Sequence, residues 1–234
     1  MNILVINGSP KAERSNTLNI TKAFLEGFPS DSNTELVHLS KLNIKPCMGC
    51  YSCWRKTSGK CVINDDMQKL YEKISDADII IESFPLFFFG IPGPMKTFID
   101  RCLPFMQPYM GDRVTDSDVC FHKLRDETLL NKKLVVISSC GYVEAAPVYP
   151  ALLKQLDMIT GGRHTAILCP EGEIFVSEMA KRQRDGYLKD ITEAGAEFAE
   201  NFCLSDETIK RISRPMLSEQ GYSKITSASW NIDH

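Results

Sequence analysis

The chain lacks an excess of either charge: 27 lysines and arginines stand against 30 aspartates and glutamates, a formal charge of -3 in 234 residues. The basic footprint that holds a nucleic-acid backbone is therefore missing, and no run of like charges is long enough to form a tail, so nucleic acid is not an expected partner. Long hydrophobic runs are missing too. Only four consecutive apolar residues, Ile3 to Ile6, follow Asn2, with no basic flank, so the start reads as a strand and not as a signal peptide or anchor. No apolar stretch approaches the roughly 20 residues that cross a bilayer. A soluble, cytoplasmic protein without membrane contact is expected. Histidine is scarce: His38, His122, His164 and His234 are isolated in the sequence, without a visible partner, and surface or satisfied-core positions are expected for them. Three phosphate- or anion-binding signatures are also absent. The chain has no Gly-Lys-Ser/Thr of a nucleoside triphosphatase, no G-x-G-x-x-G of a dinucleotide fold, and no cysteine followed by an arginine at C-x5-R spacing.

What the chain does have, with 43% apolar and 24% charged residues, is the composition of one soluble globular domain. Its nine cysteines are an odd number without a secretion signal, which favours reduced thiols or a metal site over a disulfide scaffold. Cys102, Cys120, Cys140, Cys169 and Cys203 are scattered singly and most should be small buried hydrophobes. The other four, Cys47, Cys50, Cys53 and Cys61, form a C-x-x-C-x-x-C run with a last thiol beyond a gap of seven. Three close cysteines and a remote fourth match the way ferredoxin-type loops wrap a 4Fe-4S cluster, whereas zinc prefers two separated pairs. Free thiols, or a reversible Cys50–Cys53 disulfide with Cys61 in a short strand, are an equally open reading.

Short β-branched runs alternate with segments of helical period, the pattern of a parallel sheet with crossover helices. The strands are read at Ile3 to Ile6, Glu35 to Leu39, Ala77 to Ile81, Leu134 to Ser138 and Thr165 to Leu168. The first, third and fourth lack polar alternation and belong at the sheet's centre. Helices follow from the stripes Ile20, Phe24, Phe28; Met67, Leu70, Ile74; and Tyr187, Ile191, Ala194, Phe198, Phe202, with two more at Pro92 to Cys102 and Pro147 to Ile159. Ser15 or Asn16 should cap the first, and Asp65 or Asp66 the second. A doubly wound, flavodoxin-like α/β fold with five parallel strands in the order 2-1-3-4-5 is expected over residues 1–204. Pro104 to Asn131 reads as an insertion and 205–234 as a polar tail; both are expected to act as lids or subunit contacts.

Ligands of such sheets bind beyond the carboxyl ends of the strands. After the first strand, Ser9, Lys11, Ser15, Asn16 and Thr17 open a helix, where hydroxyls, backbone N–H groups and the helix N-terminus can surround a phosphate. After the third, Pro85, Leu86, Phe87, Phe88, Phe89 and Gly90 offer an aromatic wall for a flat ring. After the fourth, Ser139, Cys140 and Gly141 make a small-residue loop. Together they describe a mononucleotide with a large planar ring. Lys96 and Arg101, on the next helix, are read as solvated in preference to a nicotinamide-phosphate contact.

Gly8-Ser9-Pro10 with Ser15-Asn16-Thr17, and Pro85 to Pro94 with Lys96, Phe98, Ile99 and Asp100, resemble the NAD(P)H-dependent FMN reductase family of the flavodoxin-like fold over roughly residues 1–170. The cysteine run, followed by Asp65-Asp66-Met67, is similar to that of the iron-sulfur flavoproteins, a branch of the same group. The resemblance implies FMN with its phosphate at Ser9 and Ser15 to Thr17 and its ring against Pro85 to Gly90 and Ser139 to Gly141. It implies NAD(P)H as electron donor and a homodimer or homotetramer. The expected activity passes electrons through FMN to a quinone, a nitro or azo compound, free flavin or a metal centre, small molecule or redox protein. No catalytic side chain is expected, because the cofactor carries the chemistry. The alternatives are an electron carrier without pyridine-nucleotide activity, in which FMN and a cluster relay electrons, and a nucleotide-binding regulatory domain.

Overall fold

In the computed structural model of the chain, residues 1–110 and 122–230 are described. Five parallel strands, β1 (Asn2–Asn7), β2 (Asn33–His38), β3 (Ile79–Pro85), β6 (Lys133–Ser139) and β7 (Thr165–Cys169), form one sheet in the order β2-β1-β3-β6-β7. Counted along the parallel strands alone, that is the expected 2-1-3-4-5. The register pairs Ile3 with Ile79 and Val135 with Thr165. The three inner strands are those whose sequences lack polar alternation. β3 starts two residues later than expected, because Ala77 still ends the preceding helix, and runs on to Pro85. That extension carries Glu82 and Ser83 into the sheet.

Alternate strand residues feed two cores. Ile3, Val5, Ile79, Ile81, Val135 and Ile137 pack against α1 (Asn16–Glu26) and α6 (Lys181–Asn201) through Ile20, Phe24, Ile191 and Phe198. Leu4, Ile6, Phe84 and Val136 pack on the other face against α3 (Met67–Asp76), α4 (Gly93–Asp100) and α5 (Pro150–Thr160). The α1 and α6 backbones touch where a side chain is missing: a Cβ on Gly195 would lie 1.9 Å from the Phe24 carbonyl oxygen. Cys140 and Cys169 are buried as expected of small hydrophobes, Cys102 is half-buried, Cys203 is exposed and Cys120 lies outside the described residues.

The segment read as a polar tail is helical. α7 (Asp206–Ile212) is capped by the Ser205 hydroxyl, which accepts from the Thr208 N–H, and α8 (Glu219–Trp230) follows. Ile212, Tyr222 and Ile225 are buried in the core on the α1–α6 side, and the Tyr187 hydroxyl donates to the Ile212 carbonyl at 3.0 Å. The apolar anchors are few but spaced for one helix face, which a polar average hides. The insertion contains an antiparallel pair, β4 (Met106–Met110) and β5 (His122–Leu124). Gly111 and the acidic stretch from Asp112, like His234, fall outside the described residues. No helix among the described residues is long and apolar enough to cross a membrane.

Candidate functional site

The carboxyl ends of β1, β3, β6 and β7 open on one cleft, lined by Ser9, Lys11, Ser15, Asn16, Thr17, Pro85, Leu86, Phe87, Ser139, Cys140 and Gly141, together with Pro10, Gly172 and Glu173. Thus eleven of the residues read from the sequence converge. Gly172 and Glu173 were missed; the rule that ligands sit beyond strand ends would have found them after β7.

The loop after β1 is organised by the buried Asn7. Its Oδ1 accepts the Ser9 N–H at 3.0 Å, while its Nδ2 donates to the Ala12 carbonyl and to His38 Nδ1 at 2.9 Å. His38 is therefore not isolated. Because its Nδ1 accepts, Nε2 carries the proton and faces Glu13 at 3.6 Å. His122 also has company, its ring 5.0 Å from that of Trp54, and His164 Nδ1 lies 3.0 Å from the Thr160 hydroxyl. Gly8 is fixed by close approach, since a Cβ there would meet the Met95 Cβ at 2.7 Å.

Ser15 occupies the N-cap position of α1, yet its side chain makes no capping bond. Ser15 Oγ and Asn16 Oδ1 are both buried and without a hydrogen-bond partner. Buried polar atoms are rarely left unpaired, and each costs about 1–3 kcal/mol. Asn16 Nδ2 reaches across to the Gly172 carbonyl at 2.8 Å, and the Thr17 and Ser139 hydroxyls meet at 2.6 Å, so the floor around the unpaired atoms is rigid. In the first turn of α1 the Leu18 N–H returns to the Ser15 carbonyl at 3.2 Å, while those of Asn16 and Thr17 have no partner within the helix by geometry. A phosphate and a polyhydroxyl chain supply the acceptors and donors this cradle lacks, and FMN fits it. Cys140 borders the cleft as a neutral thiol, since burial pushes it up.

The aromatic stretch divides its work. Phe87 and Gly90 exchange backbone hydrogen bonds at 3.1 and 2.9 Å, closing a two-residue turn. Phe88 and Phe89 occupy its centre with φ of 47° and 61°, values that favour asparagine and glycine. Left-handed backbone costs L-residues about 1–2 kcal/mol each. Phe87 lines the cleft, Phe88 is fully exposed at 102%, and Phe89 stacks on Tyr142 with ring centroids 5.9 Å apart. The wall expected from three phenylalanines is thus one ring in the cleft and two at its mouth.

Cys47, Cys50, Cys53 and Cys61 line a single pocket, together with Asp100, Arg101 and Leu103. No disulfide links cysteines among the described residues, and Cys61 lies in irregular chain, not in a strand. The Ser52 backbone N–H, then its hydroxyl, holds the Cys50 thiol below its ordinary value. Burial, followed by the neighbouring Cys61, Cys47 and Cys50, pushes Cys53 up. Among the described residues no three Cys, His, Asp or Glu side chains form a group set for a metal ion. Four thiols on one pocket are nevertheless the donor chemistry of a 4Fe-4S cluster.

Arg101, read as solvated, is buried. Its guanidinium binds Asp65 and donates to the Lys45 carbonyl at 2.7 Å; a longer contact of 3.5 Å reaches the Ile63 carbonyl. These partners flank the cysteine segment on both sides. Asp65 also accepts the Met67 N–H at 3.1 Å, doing the capping work, while Asp66 holds the N-cap position without a side-chain capping bond and instead accepts the Asn43 N–H at 2.8 Å. Lys96 pairs with Asp100 on the α4 surface. From the insertion, Arg125 donates to the Cys53 carbonyl at 3.2 Å.

A sequence profile described as NADPH-dependent FMN reductase matches residues 1–148. An iron-sulfur flavoprotein of Methanocaldococcus jannaschii is 35% identical over 104 residues, 44% of this chain and 53% of that protein. The chain spans about half the length of the curated relatives it matches. Among solved structures, an NAD(P)H:quinone oxidoreductase from Methanothermobacter marburgensis superposes with a TM-score of 0.59 at 18% identity, over 85% of this chain and 96% of that one. An FMN-dependent NADH-azoreductase from Bacillus anthracis gives 0.57 at 18% identity, over 85% and 100%. At that identity the likeness is one of fold. The profile covers most of the chain, including three of the four strand ends that build the cleft, and the chain belongs to the NADPH-dependent FMN reductase family.

Proposed function

We propose that the protein is an FMN-dependent NAD(P)H oxidoreductase. The observation that carries this reading is the pair of buried, unpartnered atoms Ser15 Oγ and Asn16 Oδ1, set at a helix N-terminus in a cleft of otherwise satisfied groups. FMN, when bound, accepts a hydride from the nicotinamide and releases the electrons to an acceptor. Ser9, Ser15, Asn16, Thr17 and Lys11 hold the phosphate end. Pro85, Leu86, Phe87, Ser139, Cys140 and Gly141 seat the ring and keep water from one face. Phe88, Phe89 and Tyr142 stand exposed at the mouth, where a nicotinamide, an acceptor or a second copy of the chain in a homodimer or homotetramer finds aromatic surface. The acceptor class we read is a quinone, nitro or azo compound, free flavin or a metal centre.

The four thiols on one pocket favour a second reading beside the first, an electron carrier in which Cys47, Cys50, Cys53 and Cys61 hold a 4Fe-4S cluster. Anaerobic mixing of the FMN-loaded protein with NADPH separates the two. Rapid bleaching of the flavin absorbance supports the oxidoreductase, and no bleaching by NADPH or NADH rejects it. Iron and sulfide analysis of protein purified without oxygen reports on the cluster.

A further inference from the structure

Glu82 lies in the middle of β3, the central strand, and is 8% exposed, with neither a hydrogen bond nor an ion pair among the described residues. It borders a cavity of about 200 Å³ between the sheet, the end of α4, the β4–β5 hairpin and α5. The walls are apolar: Ile80, Phe98, Phe105, Leu124, Leu129 and Leu134. This cavity shares no lining residue with the flavin cleft. Apolar cavities of about 150 Å³ take up benzene, so this one has room for a single substituted ring. The Cys102 thiol, which also lines the cavity, already donates to the Phe98 carbonyl at 3.4 Å and does not meet the carboxyl.

We propose that this cavity is a second ligand site, for a small neutral single-ring molecule that presents a carbonyl oxygen to the Glu82 carboxyl. A carboxyl in apolar surroundings favours its neutral form, which donates one O–H; burial raises Glu82 to about 7. A neutral acceptor meets that group without the desolvation that a buried ion pair incurs. The charged and titratable groups facing the cavity argue the same way. Beyond α4 there is the Cys102 thiol, kept neutral by burial; Lys132 and Lys133 lead into β6, and Arg163 follows α5. Lys132 is held by the Ser75 carbonyl at 2.6 Å and Lys133 lies over the Phe202 ring at 5.4 Å, so neither meets Glu82 in these contacts. Lys132 and Arg163 remain on the cavity's side of the sheet, and a cationic ligand would meet their positive charge. From α3 and the hairpin come Ile74, Met106 and Leu124, none of which titrates.

The test uses three probes of one shape, acetophenone, ethylbenzene and 1-phenylethylamine, titrated into the FMN-loaded protein while methyl resonances of Ile80, Leu124, Leu129 and Leu134 are followed by NMR. Acetophenone is expected to shift these methyls and to bind several-fold more tightly than ethylbenzene, with an affinity that falls as pH rises through about 7. Glu82→Leu should weaken it by about tenfold, one hydrogen bond's worth. Glu82→Gln keeps a donor and should retain binding without the pH dependence. The proposal is overturned if the methyls do not respond, if ethylbenzene binds as well as acetophenone, or if 1-phenylethylamine binds best. Methyl shifts that follow protein concentration instead of probe also overturn it, by making this face a contact between copies. If the variants fail to fold, the pH dependence of the native protein decides.

Discussion

The Arg101 guanidinium meets the Asp65 carboxylate at two points, Nη1 to Oδ2 at 2.7 Å and Nη2 to Oδ1 at 3.0 Å, with both side chains fully out of water. The pair links the end of α4 to the entry of α3 and closes the base of the cysteine segment. Removing one partner strands the other as a buried charge, so Asp65→Ala should cost about 3–5 kcal/mol in urea unfolding. The same variant should speed alkylation of the loop thiols. Unchanged stability would show that the clamp is dispensable. Burial alone would raise Asp65, but the bonds from Arg101, Lys45 and Met67 outweigh it and hold the carboxyl below the usual range. Its contribution is therefore present above the ordinary aspartate value of about 3.9 and is lost as pH falls through the lower folded value.

Ser15→Ala and Asn16→Ala should each weaken FMN binding by roughly 5- to 30-fold, equivalent to about 1–2 kcal/mol, measured as quenching of free flavin fluorescence on titration into apoprotein. Protein that keeps its full flavin through purification after both substitutions would place the phosphate elsewhere.

Replacing Phe88-Phe89 by Asn-Gly relieves two left-handed phenylalanines at the centre of a tight turn. Thermal unfolding should move upward, reflecting about 2–4 kcal/mol for the two positions together, while turnover of NADPH should fall because the aromatic mouth is lost. A stabilised variant with native turnover would leave the strained pair without a part in the reaction.

Glu82 holds a proton in the folded state up to about 7, whereas the unfolded chain releases it near 4.5. The folded state binds more protons across that interval, so this residue makes stability fall as pH rises from about 4.5 to 7, by about 3 kcal/mol in all. The difference in unfolding free energy between the native protein and Glu82→Gln, followed across this range, should show the trend; a flat difference would place the carboxyl in water.

Cys50, exposed and lowered by the Ser52 N–H, should be the first of the four loop thiols to react with iodoacetamide in protein without a cluster, and the buried Cys53 the last. Peptide mass spectrometry over time gives the order directly. The reverse order would contradict the loop's packing.

The sheet and three of its ligand-bearing loops were legible because strands buried on both faces leave uninterrupted runs such as Ile3 to Ile6, and strand ends then locate the cleft. Long-range pairing was not legible. Nothing local in Arg101 distinguishes a solvated helix residue from one buried against Asp65, and His38 looks solitary until β2 lies beside β1. Ile212, Tyr222 and Ile225 are too sparse to announce a helix pair, yet Ile212 is anchored once α6 lies beside it, and Tyr222 and Ile225 once α8 packs on residues 172–176. Phe88 resisted reading for another reason, since a left-handed phenylalanine contradicts the local preference that sequence reasoning relies on.

Glu171, buried beneath the cleft, accepts the N–H groups of Met216 and Leu217, the latter at 3.1 Å. Its neighbours Gly172 and Glu173 form the cleft's last wall. That wall is fastened by residues made some 45 positions later, so during synthesis the chain must extend past Leu217, and clear the ribosome there, before the pocket is complete. A product that stops short of Leu217 has the strands and the phosphate loop but lacks the brace that holds the fourth side of the cleft.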